Sequence, residues 1–242
     1  MRAFTREGAT VASLDVKDEL GERVARGASE QGSGKARYYH CDVSNRAEVR
    51  RVFAAAVGDL GGLDGLVHAA GIHREGLAEG ISDEDWDLVM AVNLKGTFIT
   101  NQEAFPFLRD NGGGRILNFG SSAGLIPYRN AAHYSASKGA VISWTRTVAH
   151  EWGQYGITVN AVAPGIHTPM AEETFERLSA VGGVEGTWAV REAMMALMIP
   201  LGGKLGDADR DLAPVLVFLM SEGARFITGQ IIPVDGGLAP TR

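Results

Sequence analysis

The stretch between residues 115 and 165 decides the fold class, because it holds two strand patterns joined by one long helical pattern. It starts with RILNF (115–119), continues through AHYSASKGAVISWTRTVAHEW (132–152) and ends with ITVNAVA (157–163), which Pro164 and Gly165 stop. Two β-rich runs separated by a helix of this length predict a β-α-β unit with parallel strands and a right-handed crossover.

The same alternation of strand and helix patterns extends outward to both ends of the chain. Upstream strands are predicted at 9–15, 36–42 and 64–69, and helices at 18–28, 45–60 and from 82 through 93. Downstream, a helix over 207–221 precedes a strand at 230–234. The pattern therefore predicts an α/β protein with a Rossmann-like, doubly wound parallel sheet and a single domain over 1–242.

Composition excludes several classes of function. The chain has 242 residues, a formal net charge of −6 and one cysteine. An acidic chain without a long basic run is a poor nucleic-acid binder, and the apolar run at 212–220 is too short to span a bilayer. We therefore expect a protein that binds neither nucleic acid nor membrane. Lone Cys41 cannot form an internal disulfide, so we also expect a cytoplasmic location. The six histidines show no metal-ligand spacing, so no metal is predicted, and His73 and His133 receive no role.

The motif Tyr134-Ser135-Ala136-Ser137-Lys138 carries the clearest chemistry. Residues i and i+4 share one face of a helix, so the ammonium of Lys138 lies one turn from the phenol of Tyr134. A neighbouring cation favours the phenolate and lowers the pKa of the tyrosine, which makes it a usable general acid/base. Taken alone, this spacing is more often a half-buried tyrosine and a solvated lysine that share a face.

Three further positions give this motif a context. Ser121 follows the strand at 115–119, where its hydroxyl can hydrogen-bond the oxygen of a substrate while Tyr134 exchanges a proton. Asn93 lies within a predicted helix, and a buried amide is costly unless it is paired; a helix-packing role is the alternative. Thr168 follows Pro164-Gly165 at the end of the next strand, where a ligand amide could be held.

Together these residues resemble the short-chain dehydrogenase/reductase family along essentially the whole chain. The motifs that carry the resemblance are Asp42-Val43, His68-Ala69-Ala70-Gly71, Asn93, Ser121, Tyr134-x-x-x-Lys138, Pro164-Gly165 and Val234-Asp235-Gly236-Gly237. The resemblance implies nicotinamide-dependent hydride transfer to or from a secondary alcohol or ketone. It also implies a homotetramer or dimer and a substrate loop at about 168–205.

The resemblance also implies a role for each site residue. Tyr134 is the expected general acid/base, and Ser121 orients the substrate oxygen. Lys138 is expected to lower the pKa of Tyr134 and to bind the nicotinamide ribose, and Asn93 to hold a water that relays protons from Lys138. The implied cofactor-binding residues are Asp42, Val43, Ala69, Tyr134, Lys138, Gly165, Ile166 and Thr168.

Asp15 predicts NAD as the cofactor. It ends the first predicted strand, where an acidic residue hydrogen-bonds the ribose hydroxyls of the adenosine and repels the extra phosphate of NADP. Lys17, two residues further on, could partly offset that repulsion. The alternative interpretation of Asp15 is a turn residue or a helix cap before Asp18.

The chain departs from the family pattern at three places. His68-Ala69-Ala70-Gly71 stands where Asn-Asn-Ala-Gly is common, and Pro164-Gly165-Ile166-His167-Thr168 is one residue shorter than a common spacing. The family's T-G-x-x-x-G-x-G turn, which binds the pyrophosphate, has no counterpart. Residues 1–9 are predicted as part of the helix that normally follows it, so we expect the natural protein to begin roughly 20–25 residues earlier. The alternative is a protein that is compromised by the lack of this unit. The alternative function is a non-catalytic or cofactor-deficient family member that acts as a binding or assembly module.

Overall fold

The computed structural model describes residues 1–168 and 196–239, and every described pair of strands is parallel. The strands form a two-stranded sheet, β1-β2, and a four-stranded sheet in the order β3-β4-β5-β6. Their bounds are Thr10–Asp15 (β1), Lys35–His40 (β2), Gly65–His68 (β3), Gly114–Phe119 (β4), Ile157–Pro164 (β5) and Ile231–Val234 (β6).

Helices alternate with these strands along the chain. The α-helices are Arg2–Arg6 (α1), Asp18–Gln31 (α2), Arg46–Leu60 (α3), Asp83–Val89 (α4), Gly96–Asp110 (α5), Ala132–Trp152 (α6) and Ala213–Leu219 (α7). A π-helical turn, Met90–Lys95, joins α4 to α5, and a second one, Ala208–Leu212, precedes α7. Among the described residues, no helix is both long enough and apolar enough to cross a membrane.

Two of the predicted helix starts, at Asn45 and at Ser82, are confirmed by capping bonds. Asn45 accepts a hydrogen bond from the backbone N–H of Glu48 at 3.3 Å, and Ser82 accepts one from Asp85 at 3.1 Å. Each bond satisfies an N–H group that the first turn of a helix leaves without a partner inside the helix.

Some predicted boundaries move by a few residues. The strand predicted at 36–42 ends at His40, because the carboxylate of Asp42 accepts the backbone N–H of Ser44 and turns the chain out of the sheet. The helix predicted over 18–28 continues to Gln31. The helix predicted from 207 begins instead as a π-helical turn, with Asp207 as its N-cap.

Helices cover both faces of the larger sheet. On β4, Ile116 packs into a core with Ile99 of α5 and Val148 of α6. The adjacent Leu117 points the other way and packs with Leu219 of α7. This alternation of neighbouring residues between two apolar cores is the pattern of a doubly wound sheet.

No described ladder joins β1 to β3, so the sheet consists of two parts. The two parts nevertheless share one hydrophobic core, in which Leu14 of β1 and Tyr39 of β2 pack on the cluster that also holds Leu66 and Ile116. Helix α3 contacts both strands of the smaller sheet and also α5. Apolar packing through this helix layer therefore connects the two sheets.

Candidate active site

The candidate site residues lie at the carboxyl ends of the parallel strands. Asp15 ends β1, and Ala69 directly follows β3. Ser121 lies two residues after β4, and Gly165 directly follows β5. In doubly wound sheets this edge is where ligands bind, so the topology places these residues where the sequence predicted them.

Tyr134 lies in the first turn of α6, and its phenol is close enough to the hydroxyl of Ser121 to interact with it. Burial raises the pKa of Tyr134, and the nearby Tyr128 raises it further, whereas the interaction with Ser121 acts in the opposite direction. The hydroxyl of Ser121 also accepts the backbone N–H of Ala123 at 3.1 Å, which holds the turn after β4 in place. The two hydroxyls predicted to share a substrate oxygen are therefore neighbours.

Lys138 lies one helical turn after Tyr134 and is buried. Its Nζ is 5.9 Å from the centre of the Tyr134 ring and donates a hydrogen bond of 2.8 Å to the backbone oxygen of Phe119. Burial lowers the pKa of Lys138 to about 8. The pKa of Tyr134 is raised overall, because burial of the phenol is the largest influence on it.

Asn93 is fully buried in the π-helical turn between α4 and α5. Its side-chain oxygen accepts the backbone N–H of Ile72 at 2.8 Å, and its Nδ2 donates to the Ile72 oxygen at 2.9 Å. Nδ2 also donates to the hydroxyl of Ser137 at 3.1 Å, and the backbone oxygen of Asn93 accepts from Thr97 at 2.6 Å. Both N–H groups of the amide are thus paired, and the amide joins the loop after β3 to α6 rather than serving helix packing alone.

Gly71 lies where Asn93 and Lys138 meet. A Cβ atom at this position would be 3.2 Å from Oδ1 of Asn93 and 3.4 Å from Nζ of Lys138. The absence of a side chain is therefore what lets the loop after β3 come so close to both groups. Ser121, Tyr134, Lys138 and Asn93 are assembled in one region, as the sequence predicted.

The acidic residues predicted for the adenosine lie at the ends of β1 and β2. Asp15 is exposed, and its Oδ1 accepts the backbone N–H of Lys17 at 3.0 Å. Oδ1 of Asp42 accepts both the N–H and the hydroxyl of Ser44, at 2.9 and 2.8 Å. Both carboxylates therefore shape turns, which supports the turn interpretation of Asp15.

The remaining predicted cofactor residues differ in their surroundings. Ala69 is exposed, whereas Val43 is buried against Gly96, where a Cβ atom would be 2.8 Å from Val43 Cγ2. Gly165 and Ile166 are buried, and a Cβ atom at Gly165 would be 2.8 Å from Cβ of Asp235. Thr168 is half-buried, and most of the predicted substrate loop at about 168–205 lies outside the described residues.

Sequence reasoning missed one residue that contacts Tyr134. The imidazole of His73 lies edge-on to the phenol ring, with 4.7 Å between ring centres and an angle of 77° between planes. His73 also lies edge-on to Tyr128, at 6.0 Å. Its position two residues after Gly71 was the only signal in the sequence, and such a signal does not reveal a ring contact.

A cavity of about 420 Å³ lies beside this site and is lined by residues 76–79 and 128–132. Its wall includes Ala131 and Ala132, which begin the helix that carries Tyr134. The space adjoins the first turn of α6. The described part of the chain contains no group of three or more His, Cys, Asp or Glu residues placed to hold a metal ion.

The tyrosine, serine, lysine and asparagine through which the sequence resembles the dehydrogenase/reductases lie together at the carboxyl edge of a doubly wound parallel sheet. A family model described as enoyl-(acyl carrier protein) reductase matches residues 1–239. The 3-oxoacyl-[acyl-carrier-protein] reductase of Thermotoga maritima is 37% identical over 236 residues, which cover 97% of this chain and 89% of that protein. The chain belongs to the short-chain dehydrogenase/reductase family.

Two other similar proteins bear on function. The solved structure of NAD⁺-bound xylitol dehydrogenase has a TM-score of 0.89 and 29% identity, covering 97% of this chain and 91% of that one. The inactive 2-(S)-hydroxypropyl-CoM dehydrogenase 2 of Xanthobacter autotrophicus is 36% identical over 239 residues, 98% of both chains. The relatives as a group support an oxidoreductase activity.

Proposed function

We propose that this protein is an NAD-dependent oxidoreductase that interconverts a secondary alcohol and a ketone, with Tyr134 as the general acid/base. The observation that carries this proposal is the proximity of the hydroxyls of Ser121 and Tyr134, with Lys138 buried one turn away. Two adjacent hydroxyls can both reach one substrate oxygen, so that Ser121 orients it while Tyr134 gives or takes its proton.

The electrostatics suit Tyr134 as a proton donor during ketone reduction. Burial raises its pKa and so keeps the phenol neutral, the form that can protonate a developing alkoxide. Lys138, whose pKa burial lowers to about 8, can gain and release a proton near neutral pH. In our proposal Lys138 restores the proton of Tyr134, and Asn93 holds a water that connects Lys138 to solvent.

The residues present fit part of a nicotinamide cofactor. When bound, the cofactor supplies or accepts the hydride. In our proposal Asp15 and Asp42 hold the adenosine, Val43 and Ala69 contact it, and Lys138 holds the nicotinamide ribose. Gly165, Ile166 and Thr168 are proposed to contact the nicotinamide amide. The carboxylate of Asp15 favours NAD over NADP by repelling a ribose phosphate. For the diphosphate of the cofactor, the sequence contains no T-G-x-x-x-G-x-G motif.

The test is a panel of ketones, sugars, steroids and acyl thioesters assayed with NADH and with NADPH. We expect turnover of at least one carbonyl class with NADH. The Tyr134→Phe variant should lose roughly 100- to 10,000-fold in kcat, the usual contribution of a general acid, and should retain its affinity for NADH. Activity that survives this substitution would show that another group acts as the acid.

A second candidate function is a non-catalytic or cofactor-deficient binding module. One specific observation favours it: a relative that is 36% identical over 239 residues is named as inactive. Absence of NADH binding by the 242-residue chain, together with a folded state, would support this second candidate.

We further propose a cytoplasmic homotetramer, with a homodimer as the alternative. Support for assembly comes from apolar side chains at the surface, above all Phe226, which is 99% exposed, with Phe218 also exposed. Support for the location comes from Cys41, a buried free thiol and the single cysteine of the sequence. Light scattering coupled to size-exclusion chromatography measures the assembly state directly.

A further inference from the structure

We propose that His73 is a positioning residue of this site, which holds the ring of Tyr134 in its reactive orientation. This inference rests on the proposed role of Tyr134. His73 is only 7% exposed, and its ring edge meets the phenol at 4.7 Å and 77°. Edge-to-face geometry of this kind is the attractive arrangement of two aromatic rings.

His73 is itself held in place by Asn93. The backbone of Ile72, the residue directly before His73, forms two hydrogen bonds with the Asn93 side chain, at 2.8 and 2.9 Å. Because the N–H and the C=O of Ile72 both pair with the side-chain amide of Asn93, the position and the direction of the backbone are fixed at this point. The imidazole therefore has a rigid backbone from which to contact Tyr134.

The same asparagine also fixes the backbone of Tyr134. Nδ2 of Asn93 donates to the hydroxyl of Ser137 at 3.1 Å, and that hydroxyl donates to the backbone oxygen of Tyr134 at 2.7 Å. A closed circuit results, which runs from the Tyr134 ring through His73, Ile72, Asn93 and Ser137 back to Tyr134. Removing the ring contact opens this circuit at the reacting side chain, while its hydrogen-bonded part stays intact.

Ring orientation matters because the phenol oxygen must meet the substrate oxygen together with Ser121. A misplacement of about 1 Å in a catalytic group can cost on the order of 100-fold in rate. Tyr128 also lies edge-on to the imidazole, with 6.0 Å between ring centres. Tyr128 lines the cavity of about 420 Å³, so His73 contacts both Tyr134 and a residue of the cavity wall.

The experiment compares His73→Leu, which keeps bulk without an aromatic ring, with His73→Phe, which keeps the ring. We expect His73→Leu to lower kcat roughly 10- to 100-fold while KM and the Kd of NADH change by less than about twofold. His73→Phe, which keeps an aromatic ring at this position, should have a kcat within roughly threefold of the wild type. His133→Leu is the matched control: it removes a buried histidine next to Tyr134 in sequence, for which the described residues show no ring contact.

A measurement without turnover separates this inference from the proposed function. In protein with ¹³C-labelled tyrosine rings, the signal of Tyr134, assigned with Tyr134→Phe, should shift in His73→Leu and not in His133→Leu. This signal can be read even if no substrate is turned over. Wild-type kcat in His73→Leu, equal losses in His73→Leu and His73→Phe, or an unmoved Tyr134 signal in His73→Leu would each overturn the proposal.

Discussion

At the residue scale, burial moves the pKa values of Tyr134 and Lys138 in opposite directions, although the two side chains lie one helical turn apart. The pKa of Tyr134 is raised and that of Lys138 falls to about 8, because each group is less stable in its charged form away from water. The site therefore favours a neutral phenol beside an amine that titrates near physiological pH. A bound cofactor and substrate would change both environments.

The buried ammonium of Lys138 predicts a specific pH dependence of stability. In the unfolded chain Lys138 has the ordinary lysine pKa of 10.5, whereas in the folded chain its pKa is about 8. Between these values the unfolded state binds more protons, so the free energy of unfolding gains from this group as pH rises from 8 to 10.5. Relative to Lys138→Met, the cofactor-free wild type should gain on the order of 2–3 kcal/mol across this window.

Urea denaturation of the two proteins at a series of pH values measures this difference. Below about pH 8 the difference should be constant, because Lys138 is then protonated in both states. Subtracting the Lys138→Met curve removes the contribution of the other groups that titrate in the alkaline range. A difference that stays flat up to pH 10.5 would mean that the folded pKa of Lys138 is not lowered.

Asp15 predicts the cofactor preference. Replacing its carboxylate in Asp15→Asn removes the repulsion of a ribose phosphate, so NADPH should gain about tenfold in affinity relative to NADH, equivalent to about 1.4 kcal/mol. The control is Glu19→Gln, which removes an exposed acidic charge in the first turn of α2. Fluorescence titration with both cofactors measures the ratio, and an equal change in the two variants would assign the effect to net charge.

The sequence pointed to Tyr134, Lys138 and Ser121 because regular elements place them. Tyr134 and Lys138 are spaced by a helix, and Ser121 is placed by the end of β4. His73 could not be predicted in the same way. Its contact with Tyr134 joins a loop to a helix about 60 residues away in the chain, and no local periodicity encodes such a contact.

At the element scale, a buried polar network joins β4 to α5 and α6. The side chains of Asn118 and Asn101 exchange two hydrogen bonds of 3.0 Å, and Asn118 also donates to Thr145 at 3.0 Å. Trp144 donates its indole N–H to Asn101 at 3.0 Å. Because every partner is buried or partly buried, the network fixes the position of β4 and of the turn that holds Ser121.

Loss of this network predicts a large loss of stability. Asn118→Leu leaves Asn101 and Thr145 with fewer partners in the interior, and we expect the free energy of unfolding to fall by about 2–4 kcal/mol. Asn111→Ala, at an exposed position at the end of α5, should change it by less than about 0.5 kcal/mol. Urea denaturation measures both, and an Asn118→Leu protein as stable as the wild type would show that the network contributes little.

The helix that carries Asn93 illustrates where sequence patterns fail at this scale. Residues 82 through 93 were predicted as continuous helix, but the chain changes to a π-helical turn at Met90–Lys95. Apolar spacing does not distinguish a short π-turn from an α-helix. In the structure this turn coincides with the hydrogen bonds from Asn93 to Ile72, which are tertiary contacts. By contrast, α6 begins and ends where predicted.

At the scale of the whole molecule, alternating strands and helices were enough to predict the parallel, doubly wound arrangement. They did not predict how two sheets remain together without a shared ladder. The shared core of Leu14, Tyr39, Leu66 and Ile116 answers that question through packing. Packing of this kind depends on tertiary contacts, which composition and periodicity do not specify.

Binding of NADH to the whole chain gives the last prediction, because it separates the two candidate functions. A ligand that binds only the folded state at 100 times its Kd adds about 2.7 kcal/mol to the free energy of unfolding. For a chain of 242 residues this corresponds to a rise in Tm of roughly 5–10 °C. NADPH at the same concentration should give a smaller rise, because Asp15 repels its ribose phosphate. Thermal denaturation with each cofactor measures both rises in Tm.

An unchanged Tm at millimolar NADH would contradict the catalytic proposal and favour the binding module. A rise in Tm that disappears in Lys138→Met would support the contact between Lys138 and the nicotinamide ribose that we propose.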